Sequence, residues 1–286
     1  MLGAGLEPAR VIARNATCRY RRGESPCRER FITLLGSFRR TLNSGLRRTG
    51  FELVRAAPDP THNWADHRTF LPFEATLQGA ARAGQRVGDY VEALHDCPGS
   101  SQATIDWMSR LGVFARPIER VCEIGPGSGR YLEKTLALCP AAHYEIYETA
   151  DPWAEWLVRT HDVVRRPALG ATLAGTDSDS IDLVHAHKVF VTTPSLYTCS
   201  YLREMARVVR HGGHVVFDVM TEECVDSDTL ARWLARPLRH HIYPALMPRQ
   251  FVIDLLGERG LELRGTFIGS MSPGVTECMA FARQGR

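Results

Sequence analysis

The sequence predicts an α/β fold: a parallel sheet with helices on both faces, closed by an antiparallel C-terminal hairpin and preceded by a helical N-terminal extension. Three observations predict it. From about residue 100 onward, short apolar segments alternate with segments of helical period, the pattern of a parallel sheet with right-handed crossovers. One apolar segment, Arg120–Ile124, runs straight into the glycine-rich turn Gly125-Pro-Gly-Ser-Gly129, which opens a helix. The alternation then breaks at the end: Leu261–Phe267 and Thr276–Arg283 are strands joined by Ile268–Val275, too short for a helical crossover and therefore an antiparallel hairpin.

The elements follow in order. Residues 1–30 are Arg-rich without periodicity, and Phe31–Arg48 carries apolar residues at helical spacing. Residues 1–60 form a basic, partly helical extension and 61–99 a linker and helical cap region. Residues 100–286 form the main domain, with an acceptor-side insertion at 221–247. Helical pieces are expected at Gln78–Arg86 and Gly88–Leu94, then from a Ser100 or Ser101 cap to about Leu111. Strands are expected at Arg120–Ile124, Tyr144–Glu148, weakly near Ala171–Ala174, and at Ile181–Ala186 and His214–Met220. The intervening helices are Gly129–Leu138, Pro152–Thr160 and Ser200–Arg210, the last stopped by Gly212-Gly213, with Arg249–Glu258 before the hairpin.

Composition narrows the function classes. No apolar run approaches the roughly 18 residues of a membrane span, and the N-terminus lacks a signal-peptide core. The eight cysteines include no CxxC pair and fit buried thiols of a reducing cytoplasm. Residues 1–55 hold twelve arginines against four glutamates, so the remainder of a chain of net charge +3 is mildly acidic. An acidic catalytic region argues against a large nucleic-acid substrate. Two lysines against 33 arginines suggest GC-rich coding and a bacterial source.

The register of the glycine loop is informative. Glycines stand at 125, 127 and 129, whereas the dinucleotide fingerprint places its third glycine where Arg130 stands. Glu123 lies two residues before the first glycine, where a carboxylate repels a pyrophosphate and suits an ammonium group. Glu123-Ile-Gly-Pro-Gly-Ser-Gly129 thus resembles the first motif of the class I, Rossmann-like S-adenosylmethionine-dependent methyltransferases. The resemblance extends to Glu148 ending the next strand, Ser180-Ile-Asp-Leu-Val184, Leu202–Val216 with its double glycine, and the closing hairpin. It implies S-adenosylmethionine as cofactor. Glu123 would hold the methionyl ammonium, Gly125, Gly127 and Gly129 would form the loop, and Glu148 would accept both ribose hydroxyls. An acid ending the third strand is missing.

For the chemistry, reacting groups gather at the carboxyl ends of the strands. Aligned on Asp182, His187 stands where relatives that methylate planar amides or base amines carry Asn or Asp before Pro-Pro. His187 suits deprotonation of an alcohol, with His185 as the alternative and Lys188 as an orienting group. A purely structural role for His187 is the competing reading. A divalent metal between His185 and His187 lacks a third ligand and has no supporting motif. Acceptor selectivity is expected from the region around Tyr90 and from Glu222, Glu223, Trp233, His240, His241 and Tyr243, unless these pack as a lid or a homodimer contact. The expectation is a cytoplasmic O-methyltransferase of a small molecule: a sugar, glycolipid or other secondary metabolite. An N- or carboxyl-methyltransferase of a metabolite and a non-catalytic cofactor-binding regulatory domain are the alternatives.

Overall fold

In the computed structural model, residues 11–12, 53–54, 70–235 and 244–285 are described. The chain divides into two units, Met1–Asn63 and Trp64–Arg286. In the first, Val11–Ile12 pairs in parallel with Leu53–Val54, although residues 1–30 showed no strand signal. The helix expected over Phe31–Arg48 lies outside the described residues.

The second unit opens with three helices, α1 (Phe73–Ala83), α2 (Val87–Leu94) and α3 (Ser100–Arg110). Neither Ser100 nor Ser101 caps α3 with its side chain; Gly99 stands at the N-cap in a left-handed conformation. Glu92 of α2 takes the capping role, accepting the Gly99 N–H at 2.6 Å and the Ser101 N–H at 2.9 Å, with the Ser101 hydroxyl donating to the same carboxylate. One acid thus satisfies N–H groups that a helix start leaves orphaned. Replacing Glu92 by Ala is expected to cost roughly 1–3 kcal/mol of stability, read as a lowered midpoint of denaturant unfolding; an unchanged midpoint contradicts this account of the cap.

Then β1 (Arg120–Ile124), α4 (Arg130–Leu138), β2 (His143–Tyr147), α5 (Asp151–Thr160), β3 (Val164–Arg165) and β4 (Ile181–Ala186) alternate. Next come α6 (Ser195–Val208), β5 (Val209–Val219), α7 (Ser227–Ala235), α8 (Arg249–Gly257), β6 (Leu261–Met271) and β7 (Gly274–Arg283). The seven strands form one sheet in the order β3-β2-β1-β4-β5-β7-β6. β7 alone runs antiparallel to both its neighbours. Reversal at β1/β4 makes the crevice beyond their carboxyl ends the topological switch point. Apolar side chains fill both faces. Val184, Phe217 and Phe281 lie in the core on one side, and Ile105, Leu132 and Leu157 in that on the other.

Three expected elements are corrected. Ala171–Ala174 is not a strand; the edge strand is Val164–Arg165. Leu173 is buried because Glu204 accepts its N–H at 2.9 Å and the Thr172 hydroxyl at 3.2 Å, fixing a loop. α6 starts five residues before Ser200, directly after Pro194, and its first turn exposes Leu196 and Tyr197, so it shows no buried period. The double glycine does not stop the helix, which ends at Val208; Gly212 and Gly213 lie within β5. A side chain on Gly213 would stand 2.8 Å from the Asp182 carbonyl oxygen, so the close approach of β5 to β4 requires glycine there. The hairpin forms as expected, with longer strands and a turn at Ser272-Pro273. Among the described residues no helix is long and apolar enough to cross a membrane.

Candidate active site

The loop after β1 takes its shape from its glycines. Gly125, Gly127 and Gly129 all have positive φ, at 63°, 52° and 73°, the region L side chains avoid. A Cβ on Gly125 would lie 2.6 Å from Val189 Cγ2, and one on Gly129 2.7 Å from Leu157 Cδ2, whereas one on Gly127 would meet nothing within 4 Å. The loop is therefore packed from behind at both ends and open at its middle. The Gly125 N–H donates to the Tyr147 carbonyl at 2.8 Å, anchoring the turn to β2, and α4 starts immediately after Gly129.

Two buried carboxylates serve this loop. Glu148 accepts the Gly127 N–H and the Ala150 N–H, each at 2.8 Å. Burial pushes its carboxyl up, against the lowering by those amides. Glu123 accepts the Tyr144 hydroxyl at 2.6 Å. Burial pushes it up to about 8, the Tyr144 bond opposes this, and the charge of Glu148 adds to it. The charge of Glu148 raises the proton affinity of Glu123, and an acidic lining of this kind favours a cationic ligand and disfavours a pyrophosphate.

From Glu123 a polar chain runs beneath the sheet end. Tyr144 Oη lies 2.9 Å from His185 Nε2, which stands 3.8 Å from Glu123 Oε2. His185 and His187 share a face as their two-residue spacing predicts, ring centroids 5.3 Å apart. His187 stacks on Tyr131 of α4 at 4.3 Å. Both its ring nitrogens are buried without a hydrogen-bond partner among the described residues. Burial lowers its pKa to about 4; the charge of Asp218 opposes this, and Lys188 and Arg130 reinforce it. His185 is held well below the ordinary range, by burial first and by His187 second. Both imidazoles are neutral at pH 7.

Lys188 is already engaged. Asp218 of β5 accepts its backbone N–H at 2.5 Å and lies 3.0 Å from its ammonium, which donates to Thr276 Oγ1 at 2.5 Å. Burial opposes the charged form, but Asp218, with Tyr131 and Cys278, outweighs it and holds the ammonium above its usual range. Among the described residues no cluster of three or more His, Cys, Asp or Glu is arranged to hold a metal.

The flanking regions are placed as follows. Trp153 of α5 donates to the Leu71 carbonyl at 2.8 Å, and Arg86 pairs with Glu133 of α4 at 2.5 Å, so the α1–α2 region lies beside the loop helix. Tyr90 packs over Gly79, where a Cβ would come within 2.2 Å of its hydroxyl oxygen. In the insertion, Glu222 accepts the Arg249 N–H at 2.9 Å, and Glu277 accepts Arg249 Nε at 2.8 Å and the Thr221 hydroxyl at 2.7 Å. Trp233 is partly buried, whereas Glu223 is exposed. His240, His241 and Tyr243 lie outside the described residues.

Four residues at this site escaped the sequence reading: Arg130, Tyr131, Tyr144 and Asp218. A lone acid inside the apolar run Val215–Val219 was the available signal for Asp218. For Tyr144 it was the period of two on β2, once β2 is set beside β1.

A family model described as a methyltransferase domain matches residues 93–265, more than half of the chain. No curated protein matches in sequence. Among solved structures, the magnesium protoporphyrin IX methyltransferase of Synechocystis PCC 6803 with bound S-adenosylhomocysteine has a TM-score of 0.51 at 13% identity, over 69% of this chain and 86% of that one. The same enzyme with bound S-adenosylmethionine has a TM-score of 0.51 at 14% identity, over 81% and 100%. An O-methyltransferase family protein of Burkholderia thailandensis reaches 0.52 at 21% identity, over 75% of this chain and 64% of that one. At these identities the likeness is one of fold. On the family match and the Rossmann-like sheet with its reversed β7, the chain belongs to the class I S-adenosylmethionine-dependent methyltransferases.

Proposed function

We propose that the chain transfers a methyl group to a hydroxyl of a small molecule, a sugar, glycolipid or other secondary metabolite, with His187 receiving the hydroxyl proton. Glu123, Gly125, Gly127, Gly129 and Glu148 form the cofactor site in this reading. S-adenosylmethionine supplies an electrophilic methyl on a sulfonium. The open middle of the glycine loop leaves room for the donor, and the buried carboxylate of Glu123 fits its methionyl ammonium. Six free cysteines among the described residues suit a reducing cytoplasm.

The observation that carries the acceptor reading is His187, a neutral imidazole at the carboxyl end of β4 whose two nitrogens lack partners. A pKa of about 4 is too low to ionise an alcohol beforehand. It is high enough to take a proton as the C–O bond forms, because a hydroxyl oxygen that is gaining a methyl becomes strongly acidic. His187 thus accepts a hydrogen bond from the hydroxyl, orients its lone pair along the line of attack, and takes the proton while the carbon–sulfur bond breaks.

The test begins with purified protein and methyl-labelled cofactor screened against polar and lipid extracts. With the product identified, His187→Ala is expected to lower kcat by roughly 100- to 1,000-fold, while the Kd for S-adenosylhomocysteine changes little. An unchanged kcat rules out the proton-accepting role.

A further inference from the structure

Arg130 is a partly buried cation with no counterion among the described residues. It is the first residue of α4, directly after the glycine loop. Its guanidinium carbon lies 5.1 Å from the centroid of the Tyr131 ring, the same ring on which His187 stacks. Its Nη1 is buried and has no hydrogen-bond partner among the described residues.

Three acids of α2 and α4 have other partners. Glu133 pairs with Arg86, Asp89 lies 3.9 Å from the Lys134 ammonium, and Glu92 caps α3. Arg130 itself makes no ion pair among the described residues. Its backbone has no room to withdraw toward α2, since a mere Cβ on Gly88 would stand 2.9 Å from Arg130 Cβ. An uncompensated charge out of water is unfavourable until a partner supplies the opposite sign. The guanidinium fork matches a planar carboxylate.

We propose that Arg130 is the carboxylate-binding residue of the cleft, a subsite resting on the methyl-transfer reading above. Two ligands offer this group beside the Tyr131–His187 stack: the methionyl carboxylate of the donor, and an acidic group on the acceptor. In the second case the acceptor is a hydroxy acid, held by Arg130 with its hydroxyl toward His187.

The experiment compares wild-type protein with Arg130→Met and Arg130→Lys, all checked for an unchanged thermal midpoint. Calorimetry measures S-adenosylhomocysteine and its decarboxylated analogue, and NMR follows carbon-13-labelled acetate with and without saturating S-adenosylhomocysteine. If the donor carboxylate is the ligand, wild type prefers S-adenosylhomocysteine over the analogue by about 10- to 100-fold; Arg130→Met binds both alike, and Arg130→Lys recovers part of the preference. If the acceptor acid is the ligand, all three proteins keep the same preference, and acetate binds the wild-type complex but not the Arg130→Met complex. Equal behaviour of wild type and Arg130→Met toward every probe overturns the proposal. Loss of acetate binding in ligand-free Arg130→Met supports the subsite even where wild type fails to bind S-adenosylhomocysteine, a result that instead removes the donor-site reading.

Discussion

Glu148→Ala is expected to weaken S-adenosylhomocysteine binding by about 100-fold or more. A carboxylate bonded to both hydroxyls of a ribose makes two charge-assisted hydrogen bonds, each contributing roughly 1.5–3 kcal/mol. Glu148 also holds the Gly127 and Ala150 N–H groups at 2.8 Å, so the alanine variant loses the brace of the loop together with the ligand contact. Glu148→Gln keeps one acceptor oxygen and the side-chain volume, and a smaller loss follows. Calorimetry with the purified variants reads both values. A change below threefold in Glu148→Ala means that Glu148 supports the loop without contacting the ligand.

The second large effect is a dependence of cofactor affinity on pH. With its carboxyl pushed up to about 8, Glu123 carries a proton in the ligand-free protein at pH 7. An ammonium partner favours the carboxylate, so binding expels that proton. Affinity for S-adenosylhomocysteine is therefore expected to rise with pH, approaching tenfold per unit between pH 6 and 8, and to level off above. Calorimetry at pH 7 in buffers of unlike ionisation enthalpy should register close to one proton released. Stability of the ligand-free protein has the opposite trend. The folded-state pKa of Glu123 lies above the ordinary 4.5, so its contribution is fully present below about 4.5 and is lost as pH rises through about 8. Glu123→Gln should remove both slopes, and an affinity flat from pH 6 to 8 in wild type contradicts the assignment.

How much of this was legible in the sequence depended on how local each signal was. β1 and β4 span the expected residues, Arg120–Ile124 and Ile181–Ala186, because buried parallel strands are continuous apolar runs bounded by turn residues. The glycine register was equally local, since three positive-φ positions two residues apart leave few alternatives to glycine. β3 was missed because both its residues, Val164 and Arg165, are exposed and give no alternation to read. Leu173 misled because a loop can bury a leucine when a distant carboxylate, here Glu204, takes its backbone N–H.

At the candidate site the sequence offers individual residues and not their connections. Glu123 and Glu148 are candidates by their position in a motif, and His187 by its distance from Asp182. The link from Glu123 through Tyr144 to His185 exists only because β2, β1 and β4 are laid side by side, and lateral strand order is not written in any one segment. Burial had the same character. The spacing of His185 and His187 placed them on one face, but only the packed structure leaves the nitrogens of His187 without partners and lowers its pKa to about 4. The sequence offers Lys188 as an orienting group, and only the packed structure shows that Asp218, thirty residues on, holds it in an ion pair.

The central claim is that the Gly125–Gly129 loop with Glu123 and Glu148 binds S-adenosylmethionine and not a dinucleotide. Calorimetric titration of the full chain with S-adenosylhomocysteine and, separately, with NAD tests it most directly. The account predicts saturable one-to-one binding of S-adenosylhomocysteine that is weakened in Glu148→Ala, and no heat of binding from NAD. Binding of NAD with no binding of S-adenosylhomocysteine would contradict it.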